Sequence, residues 1–261
     1  MQKISAVVIT FNEELFIEKC LESIKDVADE IIVVDSFSTD STEEICKKYS
    51  VRFVKNSFGG FRDQKNFALS LASNKYILSI DADEALSEDL RNNILTLKRN
   101  LNADGYLFNR LSNFCGQWIK HSGWYPDRQL RLFNKEKGKW GGYNVHEKIE
   151  LAEGSKIKRM KGDLLHWPCS SKTDYTEKME KYSDIAAFEL HVAGKKSDAF
   201  KPVFHMAWRF FVTYIVRLGF LDGRNGYFIC FSDSSYSYLK YMKLKKINRT
   251  GASNYKSYNG Q

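Results

Sequence analysis

Three features of the chain predict an α/β fold: a doubly wound, mostly parallel sheet followed by a helical C-terminal appendage. Short β-branched runs alternate with helix-patterned segments through residues 1–100, and the connections between them are short. From about Phe200 the pattern changes to long apolar and aromatic stretches interrupted by basic residues. Alternation of this kind with short connections is satisfied by a parallel sheet carrying helices on its faces.

Ile4 to Thr10 is a β-branched run of the kind buried in a parallel sheet. A helix is expected after Thr10-Phe11-Asn12-Glu13-Glu14, with Leu15, Ile17, Leu21 and Ile24 mostly on one face. Ile31 to Asp35 reads as a second buried strand, Ser36 to Thr42 as a polar turn, Glu43 to Tyr49 as a short helix and Val51 to Val54 as a third strand. Beyond a loop holding Gly59-Gly60, Arg62 to Ser73 is expected to be helical with Phe67, Ala68, Leu71 and Ala72 inward. Tyr76 to Asp81 is then a strand. Ser87-Glu88-Asp89 looks like the start of a helix running to about Arg99. Gly105 to Phe108 and Gln129 to Phe133 read as strands and Trp140-Gly141-Gly142 as a turn, a mixed half in which an acceptor could bind. Asp174 to Val192 reads as a long helix. The expected domains are residues 1–198, with a donor-nucleotide half at 1–100 and an acceptor half at 101–198, and an amphipathic helical region at 199–261.

With 43% hydrophobic and 28% charged residues the 261-residue chain is globular, and its net charge of +8 favours acidic partners such as nucleotides, phosphorylated glycans or anionic lipid. Cys20, Cys46, Cys115, Cys169 and Cys230 are scattered, without a C-x-x-C pair, which argues against a disulfide framework or zinc cluster and suits a reducing cytoplasm. A strand beginning at Ile4 leaves no room for a signal peptide, and no uninterrupted apolar window of about 18 residues is present. The expected location is cytoplasmic, at the cytoplasmic face of the inner membrane if the C-terminal region binds there. In that region Val203 to Leu221 and Tyr227 to Leu244 set Trp, Phe and Tyr beside Lys and Arg, as an interfacial helix does towards an anionic bilayer. A helical hairpin packed on the domain is the alternative.

The chemistry centres on Tyr76-Ile77-Leu78-Ser79-Ile80-Asp81-Ala82-Asp83-Glu84, an apolar run ending in two carboxylates. Ligands of open α/β sheets sit at the carboxyl ends of strands. Residues i and i+2 of an extended chain share a side, and hard oxygen ligands suit Mg2+ or Mn2+, which in turn suits a diphosphate. Taken alone the triplet could equally cap the following helix.

Its context is more specific. Thr10-Phe11-Asn12-Glu13, Val33-Val34-Asp35 with Ser36-Phe37-Ser38-Thr39-Asp40, Gln64-Lys65-Asn66-Phe67-Ala68-Leu69 and Asp81-Ala82-Asp83 follow in order. This succession resembles family 2 glycosyltransferases of the GT-A nucleotide-diphospho-sugar transferase fold. The likeness extends to the bacterial lipopolysaccharide-core β-1,4-glucosyltransferases, which also carry a Gly219-Phe220-Leu221-Asp222-Gly223 segment. The resemblance implies that Thr10, Asn12, Glu13 and Asp35 hold the uracil and ribose and that Lys65 lies near the donor phosphates. It also implies that Asp83 binds the metal directly, while Asp81 contacts ribose or metal-bound water. Glu147, in Tyr143-Asn144-Val145-His146-Glu147, is the expected catalytic base, with His146 as the alternative. His166 is a candidate third metal ligand or a structural histidine. Arg128 and Arg131 are candidates to clamp the diphosphate or an acceptor phosphate. Trp118, Trp124 and Trp140 are placed either against sugar rings or in the core.

The expected activity is inverting, metal-dependent transfer of a sugar, glucose from UDP-glucose by family likeness, onto a lipopolysaccharide-core or other cell-surface glycan. A catalytically silent nucleotide-sugar or glycan-binding protein is the alternative. No helix-turn-helix, zinc or RNA-binding signature supports a nucleic-acid partner. No G-x-G-x-x-G follows the first strand, which argues against a dinucleotide-dependent oxidoreductase.

Overall fold

The computed structural model describes residues 1–142 and 147–251. It divides into two compact units, residues 1–111 with 127–167 and residues 112–126 with 168–251. In chain order the first elements are β1 (Ile4–Thr10), α1 (Ile17–Ile24), β2 (Glu30–Asp35), α2 (Thr42–Cys46), β3 (Arg52–Lys55), α3 (Phe61–Leu71) and β4 (Tyr76–Asp81). There follow β5 (Glu84–Leu86), α4 (Glu88–Leu97), β6 (Gly105–Phe114), β7 (Gln117–Trp118), β8 (Asp127–Asn134), β9 (Gly138–Gly141), β10 (Lys148–Leu151) and β11 (Ile157–His166).

The main sheet runs β3-β2-β1-β4-β8-β6-β11-β5, and β9 and β10 form a separate ribbon. β1 to β4 are parallel, with Val8 of β1 between Val33 and Ile80. β8 then joins β4 antiparallel, and β5 pairs antiparallel with β11. Both faces of the parallel half are covered, which is why its strands read as unbroken apolar runs. Ala6, Val8, Val33 and Ile80 pack on one side with Leu21 of α1 and Ile94 of α4. Val7, Ile32, Val34 and Ile77 pack on the other with Ala68 and Leu69 of α3. Ser87 caps α4, its hydroxyl accepting from Leu90 N at 3.3 Å, with Glu88 and Asp89 in the first turn. Leu15, placed by the sequence on the inner face of the first helix, precedes α1 and is exposed.

The Trp140-Gly141-Gly142 turn is corrected. Gly138–Gly141 is a strand in register with β10, Trp140 facing Ile149. Side chains of Leu151 and Glu150 lie where a Cβ on Gly138 or Gly141 would be, so these glycines serve close cross-strand approach and not a reversal.

The second unit is mainly helical: α5 (Lys172–Val192), α6 (Phe200–Phe210), a π-helical continuation over Phe211–Val216, a 3-10 turn over Gly219–Asp222 and α7 (Gly223–Thr250). Ser171 caps α5, accepting from Asp174 N at 3.0 Å. Ala187 packs with Leu244 and Ile247, and Phe114, Ile119, Tyr175 and Ile229 form a second cluster. The Gly219-Phe220-Leu221-Asp222-Gly223 segment is a tie point. The buried Asp222 carboxylate accepts from His121 N at 2.9 Å and meets the His121 ring Nδ1 at 2.9 Å. Gly226 lies so close to the Gly219 carbonyl that no side chain fits between them. Among the described residues no helix is long and apolar enough to cross a membrane.

Candidate active site

The carboxyl ends of β1, β2 and β4 lie side by side, Thr10 in register with Asp35 and Ile9 with Asp81. At the first two, the turn after β1 is stitched to the turn after β2. Asn12, at φ 54°, donates its N–H to Ser38 Oγ at 2.8 Å, and its Oδ1 accepts from Thr39 N at 2.8 Å. Asparagine tolerates the left-handed region better than most residues. Glu13 N donates to Thr42 Oγ1 at 2.9 Å. Asp35 is fully buried, and its two oxygens accept from Ser38 N at 2.9 Å and Ser38 Oγ at 2.5 Å. Thr10, Asn12, Glu13 and Asp35 are thus brought together on one rigid rim.

At the end of β4 a chain of alternating charges runs through the structure. Lys65 Nζ, on α3, donates to Glu147 Oε1 at 3.0 Å and lies 3.0 Å from Asp81 Oδ1. Arg131 Nη2 donates to Asp81 Oδ2 and to Glu84 Oε1, both at 2.7 Å. Arg110 joins Glu84 at 3.2 Å to Asp127 at 2.6 Å. Burial by itself raises the pKa of Asp81, but Lys65 and then Arg131 outweigh it and hold the carboxyl well below the usual range. Burial likewise opposes the charge on Arg131, and Glu84 followed by Asp81 more than restores it.

Local sequence explains how these groups are aimed. The three residues Gln64-Lys65-Asn66 each bind a different element. Gln64 Nε2 donates to Ser36 Oγ at 3.1 Å, and Asn66 exchanges hydrogen bonds with the backbone of Trp140 at 2.9 and 3.1 Å. That clamp sets the Trp140 ring 4.3 Å from Lys65 Nζ. Arg131 is the extra residue of a bulge: Tyr106 pairs with Leu132 and Leu107 with Leu130. Bulges re-aim side chains, here into the sheet edge.

Ala82 and Asp83 form a turn, so the two acids are presented by a bend and not by the extended chain assumed from the sequence. Asp81 faces the cations. Asp83 faces β11, whose pairing with β5 sets His166 opposite Glu84 and leaves His166 Nε2 3.5 Å from Asp83 Oδ2. Among the described residues no group of three His, Cys, Asp or Glu side chains could hold a metal. A diphosphate-bound Mg2+ or Mn2+ takes only one or two protein ligands and completes its shell with phosphate and water. A carboxylate and an imidazole this close fit that requirement.

Among the described residues Thr10 Oγ1, Arg131 Nε and Trp140 Nε1 are buried without a hydrogen-bond partner. Buried polar groups are normally satisfied, and three of the five such atoms gather at this edge, the others being Arg91 Nε and Ser197 Oγ.

The glycosyl transferase family 2 model matches residues 5–152, which include every strand of this edge except β11. The chain belongs to that family. A glycosyltransferase of Rickettsia typhi is 30% identical over 273 positions, covering 99% of this chain and 94% of its own length. The lipopolysaccharide core biosynthesis glycosyltransferase LpsC of Rhizobium meliloti is 30% identical over 248 positions, 92% of this chain and 91% of its own. Among solved structures, S. aureus TarS in complex with UDP-GlcNAc aligns at 14% identity and a TM-score of 0.47, over 96% of this chain and 92% of that one.

Of the residues singled out in the sequence, Glu147, Lys65, Asp81 and Arg131 are in one contact chain, and Asp83 meets His166. Arg128 is exposed on β8 and stands outside that chain of contacts. His146, the alternative base, lies outside the described residues. Sequence reasoning assigned nothing to Glu84 or Arg110, although Glu84 is fully enclosed and binds two arginines. The available signal was a charged residue inside an apolar strand, Arg110 within Leu107-Phe108-Asn109-Arg110-Leu111.

Proposed function

We propose that this family 2 member catalyses inverting transfer of glucose from UDP-glucose to a hydroxyl of a lipopolysaccharide-core or related cell-surface glycan. The observation that carries the proposal is the part-buried Glu147–Lys65–Asp81–Arg131 chain at the sheet edge, next to the Asp83–His166 pair. Likeness to a core-biosynthesis glycosyltransferase over nearly the whole chain supports the acceptor class.

The enclosed Asp35 and the Thr10 to Glu13 turn accept the base N–H and the ribose hydroxyls. Lys65 and Arg131 supply positive charge where the diphosphate comes to rest. Asp83 and His166 would hold Mg2+ or Mn2+, which supplies Lewis-acid stabilisation of charge on the diphosphate. Glu147 accepts the proton as the acceptor oxygen bonds to the anomeric carbon from the side opposite the leaving group. The anomeric C–O bond breaks with its electron pair retained by the diphosphate. Lys65, bonded to both Glu147 and Asp81, holds base and donor side in fixed relation, a positional contribution to rate.

The test is transfer and donor hydrolysis across a panel of nucleotide sugars with Mn2+, Mg2+ or chelator. Metal-dependent release of UDP from UDP-glucose is the expected result. Donor binding without turnover in the presence of core-oligosaccharide acceptors would favour the silent binding protein, and absence of nucleotide binding would retire the transferase reading.

A further inference from the structure

Helix α6 and its π-helical continuation have their polarity reversed. Phe200, Phe204, Trp208, Phe211 and Ile215 recur at spacings of 4, 4, 3 and 4, which keeps them on one helical face. All five are exposed, Phe200 by 84% and Trp208 by 56%. The residues this segment buries are Pro202 and Thr213. Twelve of the 22 exposed large apolar side chains among the described residues fall between Phe200 and Phe231. Exposed apolar side chains gathered this densely mark a surface that is covered in use.

The charge around it indicates by what. From residue 199 to 251 the chain carries nine Lys or Arg and two acids, Asp222 and Asp233. Both acids are turned inward, Asp222 to His121 and Asp233 to Tyr175, whose hydroxyl donates to it at 2.7 Å. Arg209 Nη2 also lies 3.6 Å from the Asp233 carboxylate, so beside the aromatic face the unneutralised outward charge is that of the exposed Arg217 and Arg224. A second copy docked on this face would bring positive charge against positive charge. Aromatic residues on one face of a helix with basic residues around it are the composition that lies in the interface of an anionic bilayer.

We propose that residues 200–221 form an in-plane membrane-binding element, in which Phe204, Trp208, Phe211 and Ile215 enter the headgroup–acyl boundary and the surrounding arginines select anionic lipid. The assignment is independent of the transferase reading, because it needs neither donor nor acceptor. It places the inserting side chains on α6 and its continuation, with Arg224 at the start of α7 beside them. The tyrosine-rich α7 buries Ile229, Cys230, Leu244 and Ile247 within its own unit.

Flotation of the full chain with phosphatidylglycerol-containing vesicles and with pure phosphatidylcholine vesicles, without nucleotide, tests it. Binding to the anionic vesicles is expected, weakened by high salt and weak or absent on phosphatidylcholine. Phe204→Ser with Trp208→Ser should abolish flotation while thermal unfolding is unchanged, and Arg224→Glu should weaken it at least about fivefold, the equivalent of one interfacial charge. Failure of the folded wild type to bind anionic vesicles would overturn the proposal. So would undiminished binding by the double variant, or a wild-type dimer in solution that the double variant converts to monomer.

Discussion

The sheet edge of the first unit and the α6 ridge of the second solve opposite problems. At the end of β4, charges are mostly enclosed and meet counter-charges: Lys65 between Glu147 and Asp81, Arg131 between Asp81 and Glu84. On the ridge, apolar rings are exposed and the acids are turned in. Enclosed charge costs stability unless paired, and exposed apolar area gains nothing in water. These departures from the usual inside–outside rule are what the two proposals rest on: a charged small molecule at the edge and an apolar phase at the ridge.

The largest expected effect falls on the edge. Glu147→Gln should lower kcat by about 10^2 to 10^4-fold while donor affinity stays within a few-fold, as read by steady-state kinetics beside calorimetric donor binding. Unchanged kcat would move the base elsewhere. Next, Arg131→Met leaves Asp81 and Glu84 short of a cation and should cost about 3–5 kcal/mol in urea unfolding. A cost under about 1 kcal/mol, the scale of an exposed pair, would show that the chain of charges is solvated.

Sequence reading and structure agree where strand ends decide the matter. Asp35 and Asp81 close unbroken apolar runs, so their location at the carboxyl edge follows from the pattern alone. Arg131 could be named as a clamp, but its aim depends on a bulge that appears only when Leu107 is seen opposite Leu130. Glu84 and Arg110 went unassigned because their meeting joins residues 26 positions apart through strand pairing. The orientation of α6 was equally hidden. An aromatic stripe at helical spacing reads the same whether it packs inward or faces out, and only the burial of Thr213 beside exposed Trp208 distinguishes them.

Acid titration sharpens the contrast further. The folded pKa of Asp81 lies below its unfolded value, so its contribution to stability is present above about pH 4 and is lost as pH falls through the depressed folded value. Urea midpoints measured from pH 7 down to pH 3 should decline less steeply in Arg131→Met than in the wild type. An identical slope would separate Asp81 from Arg131. The smallest effect belongs to the ridge: Phe204→Ser with Trp208→Ser should change unfolding free energy by no more than about 0.5 kcal/mol, as surface changes do. Phe108→Ala, in the core of the first unit, should cost about 3–5 kcal/mol in the same assay. A large loss from the double variant would mean that the ridge is packed in solution.

The most direct test of the central claim is calorimetric titration of UDP into the full chain with Mn2+. One binding site per chain is expected, abolished by chelator and by Asp83→Ala and retained in Glu147→Gln. Binding that is indifferent to both chelator and Asp83→Ala would contradict it, as would no UDP binding by the folded wild type.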